Sequence, residues 1–580
     1  MRQDSTSVLV VGGSLVGLST ALFLSANGVP TVLVERHAGS SPHPRAIGYT
    51  TRTLELLRAV GLGGRIPEVP AGFRLRRVRI ESLAGRWFDE AAAWTPDKRA
   101  DERADVKADK RADLKAEERA DVKADERAGE KADKRADVKA DERADVKANL
   151  KADEKAHAMV DRGHADSPCG AAGIAQDKLE PLLRDRAREL GADVRVATEL
   201  VKFEQDADGV TAWVRTRAGE AYTIRAAYLV AADGGRSQVR EALGIGTAGR
   251  GHMRTLRSVL FRAPFDEYLA KGVMQFEIDQ PDLQGFLTTY HDGRWVLMFH
   301  DDIERDERQL RGAIVEASGR ADLPIEIIAT GRWELGAIVA DRFSKGRVFL
   351  AGDAAHCFPP TRGGYGANTG IHDANNLAWK LAAVIAGRSS PALLETYDAE
   401  RRPVAWTRHQ QIFARPDYKS AGNGIADGEP ILDDVAMELG QLYRSNAVVG
   451  AGAELPAAAT PAQWAGQPGT RAPHVWIERD GQRVSTLDLF QRGWVLLADD
   501  DGWVAAAVDA RAALAIDVQA VRLGADIQPR EAVQRAYGLG DGGASLIRPD
   551  GYVAWRAATM PSDPSAALRE VLRQVASVHA

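Results

Sequence analysis

The sequence predicts an α/β protein: a βαβ opening with strands of the buried parallel kind, a strand-rich middle and a smaller α/β segment after about residue 450. Three observations predict it. Residues 8–11 are a short, wholly apolar run and 31–34 (Thr-Val-Leu-Val) a largely apolar one, separated by a glycine-rich turn and a helix-length segment; this is the pattern of a βαβ unit buried on both faces. Two later strand-like runs, 228–231 and 347–351, apolar after their first residues Tyr228 and Arg347, each lead within two residues to an aspartate beside glycine. Residues 274–300 are strand-rich, with a hairpin turn at His291-Asp292-Gly293. At 580 residues the chain exceeds one ordinary core.

The bulk composition narrows the function. Hydrophobic residues make up 44% and the net charge is only −6, so no nucleic-acid or anionic-membrane partner is expected. Two cysteines, Cys169 and Cys357, allow neither a disulfide framework nor a Cys-rich zinc site, and no metal is expected. The first apolar run breaks at Gly12 and is too short for a secretion signal. No uninterrupted apolar stretch is long enough to span a bilayer. A cytoplasmic protein, monomeric or homodimeric, is the expectation.

The elements follow in order. A helix is expected over 15–26 with Gly28 as its stop, then the strand 31–34 ending at Glu35. From Ala100 to Ala156 alanine recurs at every fourth position, each preceded by a basic residue. Like charges fall at i and i+4, where they repel along a helix face, and a four-residue unit drifts around a 3.6-residue helix without forming an apolar stripe. The segment reads as a solvated insertion with no chemical role. A helix over 178–190 and strands at 194–197, 210–216 and 222–231 come next. A helix over 368–386 follows the strand 347–351. Beyond residue 450 the composition shifts to Ala, Gly and Pro, with strands at 494–497 and 552–555.

Three motifs carry chemistry. In Gly12-Gly13-Ser14-Leu15-Val16-Gly17, Gly12 serves the turn and Gly17 the packing of helix on sheet, with Ser14 where a dinucleotide turn usually has its middle glycine. Glu35, about twenty residues on, suits ribose hydroxyls. A pyrophosphate at the helix N-terminus follows from both. The second motif delivers Asp233-Gly234 from the strand 228–231. In the third, the strand 347–351 ends at Gly352-Asp353, and the glycine-dense segment Phe358 to Asn368 lets backbone amides face a planar ligand.

In this order and spacing, together with Pro44-Arg45-Ala46, Arg52-Thr53-Leu54-Glu55 and Gln176, the motifs resemble the FAD-dependent aromatic hydroxylases of the p-hydroxybenzoate hydroxylase fold. The wording is most like the hydroxylases of aromatic polyketides. The resemblance covers roughly residues 7 to 415, apart from the repeat. It implies a Rossmann-like FAD-binding domain interleaved with a β-rich substrate domain. The C-terminal stretch around Arg548-Pro549-Asp550-Gly551 resembles the thioredoxin-like domain of these enzymes, without a Cys-x-x-Cys. The implied boundaries are 1–75, 158–240 and 336–415 for the FAD-binding parts and 76–95 and 241–335 for the substrate domain. The insertion takes 96–157, a helical linker 416–455, and the thioredoxin-like domain 456–580.

The resemblance also implies roles. Gly12, Ser14, Leu15, Val16 and Gly17 hold the pyrophosphate of FAD. Glu35, with Arg36 beside it, binds the adenosine ribose, and Arg45 and Gln176 approach from the opposite side. Asp233 belongs to an Asp-Gly fingerprint tied to FAD and NAD(P)H. Gly352 and Asp353 meet the ribityl chain. Pro359, Gly364, Gly366, Ala367 and Asn368 lie along the isoalloxazine ring.

The implied reaction takes NAD(P)H, with NADPH expected, as transient co-substrate, and O2, and inserts one oxygen into a polycyclic phenol. Tyr228 is the candidate base for the phenol, although a strand tyrosine more often packs; His43, His300 and His356 are weaker candidates. Phe286, Tyr290, Trp295, Met298 and Phe358 are candidate substrate contacts, and Trp87 and Trp94 could border the entrance. Two alternatives stay open: Baeyer–Villiger oxygen insertion on a related polyketide, and a non-catalytic flavin binder.

Overall fold

The computed structural model describes residues 2–70, 75–91, 165–360, 364–415, 430–490 and 492–578. The repeat 99–156 and Trp94 lie outside the described residues.

Strand β1 (Gln3–Val11) is central to the first sheet. It runs parallel to β2 (Thr31–Val34) on one side and to β3 (Ala221–Ala231) on the other, with Val8 level with Thr31 and Tyr228. Beyond β3 lies β4 (Val348–Leu350), also parallel. Only Val8 to Val11 of β1 are apolar and buried. The strand nevertheless begins at Gln3, because its polar first half pairs with Thr223 to Ala226 of β3. Helices α1 (Leu15–Ala26) and α2 (Gln176–Glu189) pack on one another, and α3 (Tyr365–Ile385) packs on α1. All parallel strands aim their carboxyl ends at one edge, the place where open α/β sheets bind ligands.

The second sheet has eight strands. Its backbone is a long antiparallel pair, Thr247–Arg262 with Glu326–Ala340, interrupted by bulges. Then come Arg294–Phe299, Gln284–Thr289, Gln275–Asp279 and two strands from before the insertion, Arg77–Ile80 and Trp87–Ala91. His291 (φ 60°) and Gly293 (φ 78°) close the expected hairpin. The strand Glu326–Ala340 runs past the expected boundary at 335, because Thr247 pairs with Ala340 at its far end. One face of this sheet is a core of Phe261, Phe265, Phe276, Trp295, Leu297 and their neighbours; the other face looks back at the first sheet.

The C-terminal sheet has the order Val518–Arg522, Trp494–Ala498, Ala544–Ile547, Val553–Ala557, the first pair parallel and the others antiparallel. Helices Asp501–Leu514 and Pro564–Val575 pack together over it. Trp379 of α3 and Leu393 of α4 (Ala392–Ala414) join its core. Buried ion pairs cross the same junction: Arg471 Nε and Nη2 donate to the Glu55 carboxylate at 2.9 and 2.5 Å. Among the described residues of the expected helical linker, 430–455, the one helix is Asp434–Leu439, capped by Asp433 and ended where Gly440 presses against Ala459. Among the described residues no helix is long and apolar enough to cross a membrane.

Candidate functional site

The turn after β1 is built by close approach. Gly12 has φ +107°, and a Cβ there would sit 2.3 Å from the Ala232 carbonyl oxygen. A Cβ on Gly17 would sit 1.8 Å from the Gly12 oxygen. Any side chain at either position would push α1 off the sheet. The helix therefore begins with its N-terminal amides facing the cleft, where they attract an anion. Glu35 reaches this turn from the end of β2: its Oε2 accepts from Gly13 N at 2.6 Å and its Oε1 from His37 N at 2.8 Å. Ser14 does not cap α1. Its hydroxyl donates to Glu180 Oε1 at 2.8 Å and accepts from Gln176 Nε2 at 3.0 Å. Gln176 Oε1 in turn accepts from Arg45 N and Ala46 N at 3.3 and 3.2 Å. Arg45 and Gln176 thus join the opposite wall to the glycine turn.

The second and third motifs meet beside it. Asp233 Oδ2 accepts from Val239 N at 3.2 Å, whereas its Oδ1 is buried without a partner. Arg240 ties the two loops together, donating to Ala354 O and Gly235 O, each at 2.9 Å. Asp353 follows β4 in a single 3-10 turn, Gly352–Ala354. Its carboxylate borders the cleft and accepts no hydrogen bond from the described residues; burial pushes its pKa up, against the pull of His356 and Arg45. Beneath the loop, Asp373 accepts from Gly352 N (3.2 Å), His356 Nε2 (2.7 Å) and Arg401 Nε (2.7 Å), all buried. Burial alone would raise the Asp373 carboxyl, but His356 and Arg401 hold it below the usual carboxylate range.

Helix α3 starts at Tyr365, three residues earlier than expected, so Gly366, Ala367 and Asn368 lie in its first turn and not in a loop. Gly364 at φ +58° supplies the turn into the helix. Asn368 holds that turn: its Nδ2 donates to Gly364 O at 2.8 Å, and its Oδ1 accepts from Thr53 Oγ1 at 2.6 Å and Thr50 N at 3.0 Å.

One cleft of about 2150 Å³ gathers Gly12, Ser14, Leu15, Val16, Glu35, Arg36, Arg45, Gln176, Asp233, Asp353, Pro359, Gly364, Gly366 and Ala367. Phe286, Tyr290, Met298 and Phe358 border it from the second sheet and the loop after His356–Cys357. Drug-sized ligands fill pockets of about 300–1,000 Å³, so the cleft has room for a dinucleotide and a second molecule.

Five expected site residues stand elsewhere. Gly17 and Gly352 make room for neighbouring chain and do not line the cleft; a Cβ on Gly352 would meet Val16 at 2.7 Å. Asn368 is fully buried as a clamp. Trp295 is 0% exposed and packs edge-on against Phe265, because strand alternation turns it away from Val296 and Met298. Tyr228 lies three residues before the end of β3, against Phe349 with Arg347 over its ring, and does not reach the cleft. Tyr228 is therefore a packing residue, out of reach of a phenol in the cleft, and not its base. His300 and Trp87 do not border the cleft either. His43 supports its floor: Ser258 Oγ accepts from Trp333 Nε1 at 2.6 Å and meets His43 Nε2 at 2.9 Å, and burial pushes the His43 pKa down. Tyr290 lines the cleft, but its hydroxyl donates to Pro44 O at 2.7 Å, fixing the Arg45 loop to the second sheet. Glu180, Arg240 and Thr50 were not expected at the site, and Thr53 carried no role although it belongs to the motif Arg52-Thr53-Leu54-Glu55. Glu180 had a signal too, lying one helical turn after Gln176.

FAD fits this donor set. The glycine turn is a cradle that a Cβ would fill, Asp353 faces the cleft without a donor, and Asp233 Oδ1 is an orphaned acceptor.

Comparison with known proteins agrees. A family model described as "FAD binding domain" matches residues 5–411, and one described as "Aromatic-ring hydroxylase, C-terminal" matches residues 465–577. A tetracenomycin B2 monooxygenase-dioxygenase of Streptomyces olivaceus is 39% identical, over 99% of both chains. A 4-methyl-5-nitrocatechol 5-monooxygenase of a Burkholderia species is 37% identical, over 98% of this chain and 97% of its own. The crystal structure of aklavinone-11 hydroxylase with FAD and aklavinone matches with a TM-score of 0.80 at 34% identity, over 99% of this chain and 100% of that one.

Proposed function

Since this chain belongs to the FAD-binding aromatic-ring hydroxylase family, we propose that it is a monooxygenase that hydroxylates a polycyclic phenol of the aromatic polyketide kind. It consumes one NAD(P)H, with NADPH expected, and one O2. One oxygen atom enters the ring in place of hydrogen, and the other leaves as water.

The observation that carries this reading is the convergence of the glycine turn, Asp353 and the N-terminus of α3 on one cleft that continues along Phe286 and Met298. Bound FAD supplies the chemistry: it accepts hydride from NAD(P)H and activates O2. The chain supplies position. The amides of the turn and the start of α1 take the pyrophosphate, Glu35 the adenosine ribose, and Asp353 the ribityl hydroxyls. Glu35 then exchanges its contact with Gly13 N for ribose hydroxyls. A burial-raised carboxylate at Asp353 gains most from hydroxyl donors, which restore the solvation that burial removed. Pro359, Gly364, Gly366 and Ala367 border the flavin ring, and Phe286, Met298 and Phe358 exclude water from the ring that is oxidised.

The two relatives described above differ in the compounds they are named for, tetracenomycin B2 and 4-methyl-5-nitrocatechol. The size of the cleft favours the larger class. The test is NADPH consumption by the FAD-loaded protein under labelled O2, against a panel of polycyclic phenols and 4-methyl-5-nitrocatechol. Polycyclic phenols are expected to accelerate consumption and gain one labelled oxygen. A panel in which only the nitrocatechol is oxidised would contradict the substrate class, and unlabelled product would contradict the reaction.

A further inference from the structure

Away from the glycine turn, the cleft is bordered by Tyr365, the first residue of α3, and by Asp434, Val435, Glu438 and Leu439 of the helix Asp434–Leu439. This wall holds polar groups that the described residues leave unsatisfied. Tyr365 is 2% exposed and its hydroxyl has no hydrogen-bond partner. Both carboxylate oxygens of Glu438 are buried and accept no hydrogen bond. Arg408 Nη2 lies 3.3 Å from Glu438 Oε1 as an ion pair, but its hydrogen bond goes to Met437 O, and Arg408 Nη1 donates to Thr369 Oγ1. Asp434 differs, since Arg415 Nη1 donates to it at 3.0 Å. Tyr365, Asp434 and Glu438 all border the same cleft, and the guanidinium groups of Arg408 and Arg415 lie over the Tyr365 ring, 5.2 and 5.8 Å from its centroid.

A buried carboxylate without a donor is costly, and so is a buried hydroxyl without an acceptor. One ligand group satisfies both: a phenolic hydroxyl donates its O–H to Glu438 and accepts the O–H of Tyr365. The apolar wall formed by Phe286, Val296 and Met298 offers no such exchange. We propose that Glu438 and Tyr365 form a specificity subsite for a hydroxyl on the substrate ring that is not oxidised. The proposal rests on the hydroxylase reading and adds which part of the substrate is recognised. A site built to hydrogen-bond a hydroxyl discriminates strongly against analogues that lack it, because its own buried groups are then left unpaired.

The test uses the FAD-loaded full chain and two probes, 2,6-dihydroxyanthraquinone and its dimethyl ether, titrated by the perturbation each causes in the flavin spectrum. Wild type is expected to bind the diol at least about tenfold more tightly than the ether. Glu438→Leu should reduce that preference to under about twofold, with Tyr365→Phe losing part of it and Glu438→Gln, which keeps an acceptor, falling between. Bound FAD is measured in every sample, so failure of the flavin site is seen separately. A wild-type chain that takes no FAD sinks both the hydroxylase reading and the subsite. An FAD-replete enzyme that does not bind the diol, binds both probes equally, or keeps its preference in Glu438→Leu overturns the subsite alone.

Discussion

Arg548 of the C-terminal domain and Glu400 of α4 are 148 residues apart in sequence and pair side by side. Nη1 meets Oε1 at 2.6 Å and Nη2 meets Oε2 at 2.9 Å. Neither side chain has exposed surface. Glu400 also accepts from Lys380 Nζ (2.8 Å), Asn376 Nδ2 (2.7 Å) and Ser445 Oγ (2.6 Å), and Arg548 is shared with Asp550. Burial alone would raise the Glu400 carboxyl; Arg548 and Lys380 instead hold it well below the usual carboxylate range. The pair fastens the C-terminal domain to the helices α3 and α4 that back the cleft.

Arg548→Met removes one partner and leaves Glu400 buried beside Lys380 alone among its cations. Breaking a buried pair in this way costs about 3–5 kcal/mol. The variant should unfold at a correspondingly lower urea concentration. A midpoint equal to that of wild type would show that the pair contributes nothing net.

Gly352 and Val16 are matched. At Gly352 the backbone is at φ +60°, and a Cβ would lie 2.7 Å from the Val16 side chain. Gly352→Ala should displace Asp353 and weaken FAD binding by at least about tenfold, the scale of 1.4 kcal/mol. Adding Val16→Ala to the same chain should recover part of that loss but not all, since the positive φ remains strained for alanine. Full FAD affinity in Gly352→Ala alone would contradict this packing.

Burial pushes His409 and His474 down to about 4. Both are neutral in the folded chain above that pH, while the unfolded chain binds protons from about 6.5 downward. The stability they confer is therefore fully present above pH about 6.5 and is lost as pH falls toward 4. Urea midpoints measured across that interval should fall with acid. The double variant His409→Gln/His474→Gln should show a flatter dependence. An unchanged slope in the double variant would assign the effect to other groups.

The parts legible in the sequence were those whose signal is local. Val8 to Val11, the glycine turn and Glu35 lie within thirty residues, and each reports its own burial or backbone need. Asp353 was legible because an apolar strand stops directly before it. The long pair Thr247–Arg262 with Glu326–Ala340 was not legible, because its partners are far apart and carry many charges on their open faces, among them Arg254, Arg257 and Glu334. The inward placement of Trp295 also has a local signal. Met298 pairs with Phe286 in register, and period-two alternation from Met298 puts Trp295 on the opposite, core face. Tyr228 likewise sits three residues short of Ala231, where the ligand edge of the sheet begins. The unsatisfied wall of Tyr365 and Glu438 has no local signature, since it arises only when α3 meets a short helix about seventy residues later.

The most direct measurement is FAD bound per chain after gel filtration, for wild type, Gly17→Ala and Asp353→Ala. If the turn after β1 and the loop after β4 hold the same cofactor, wild type retains one FAD and each variant loses most of it. Gly17→Ala fails because its Cβ would meet the Gly12 oxygen at 1.8 Å; Asp353→Ala fails because the ribityl hydroxyls lose their acceptor. A wild-type chain that refuses FAD, or an Asp353→Ala chain that keeps a full equivalent, would contradict the account.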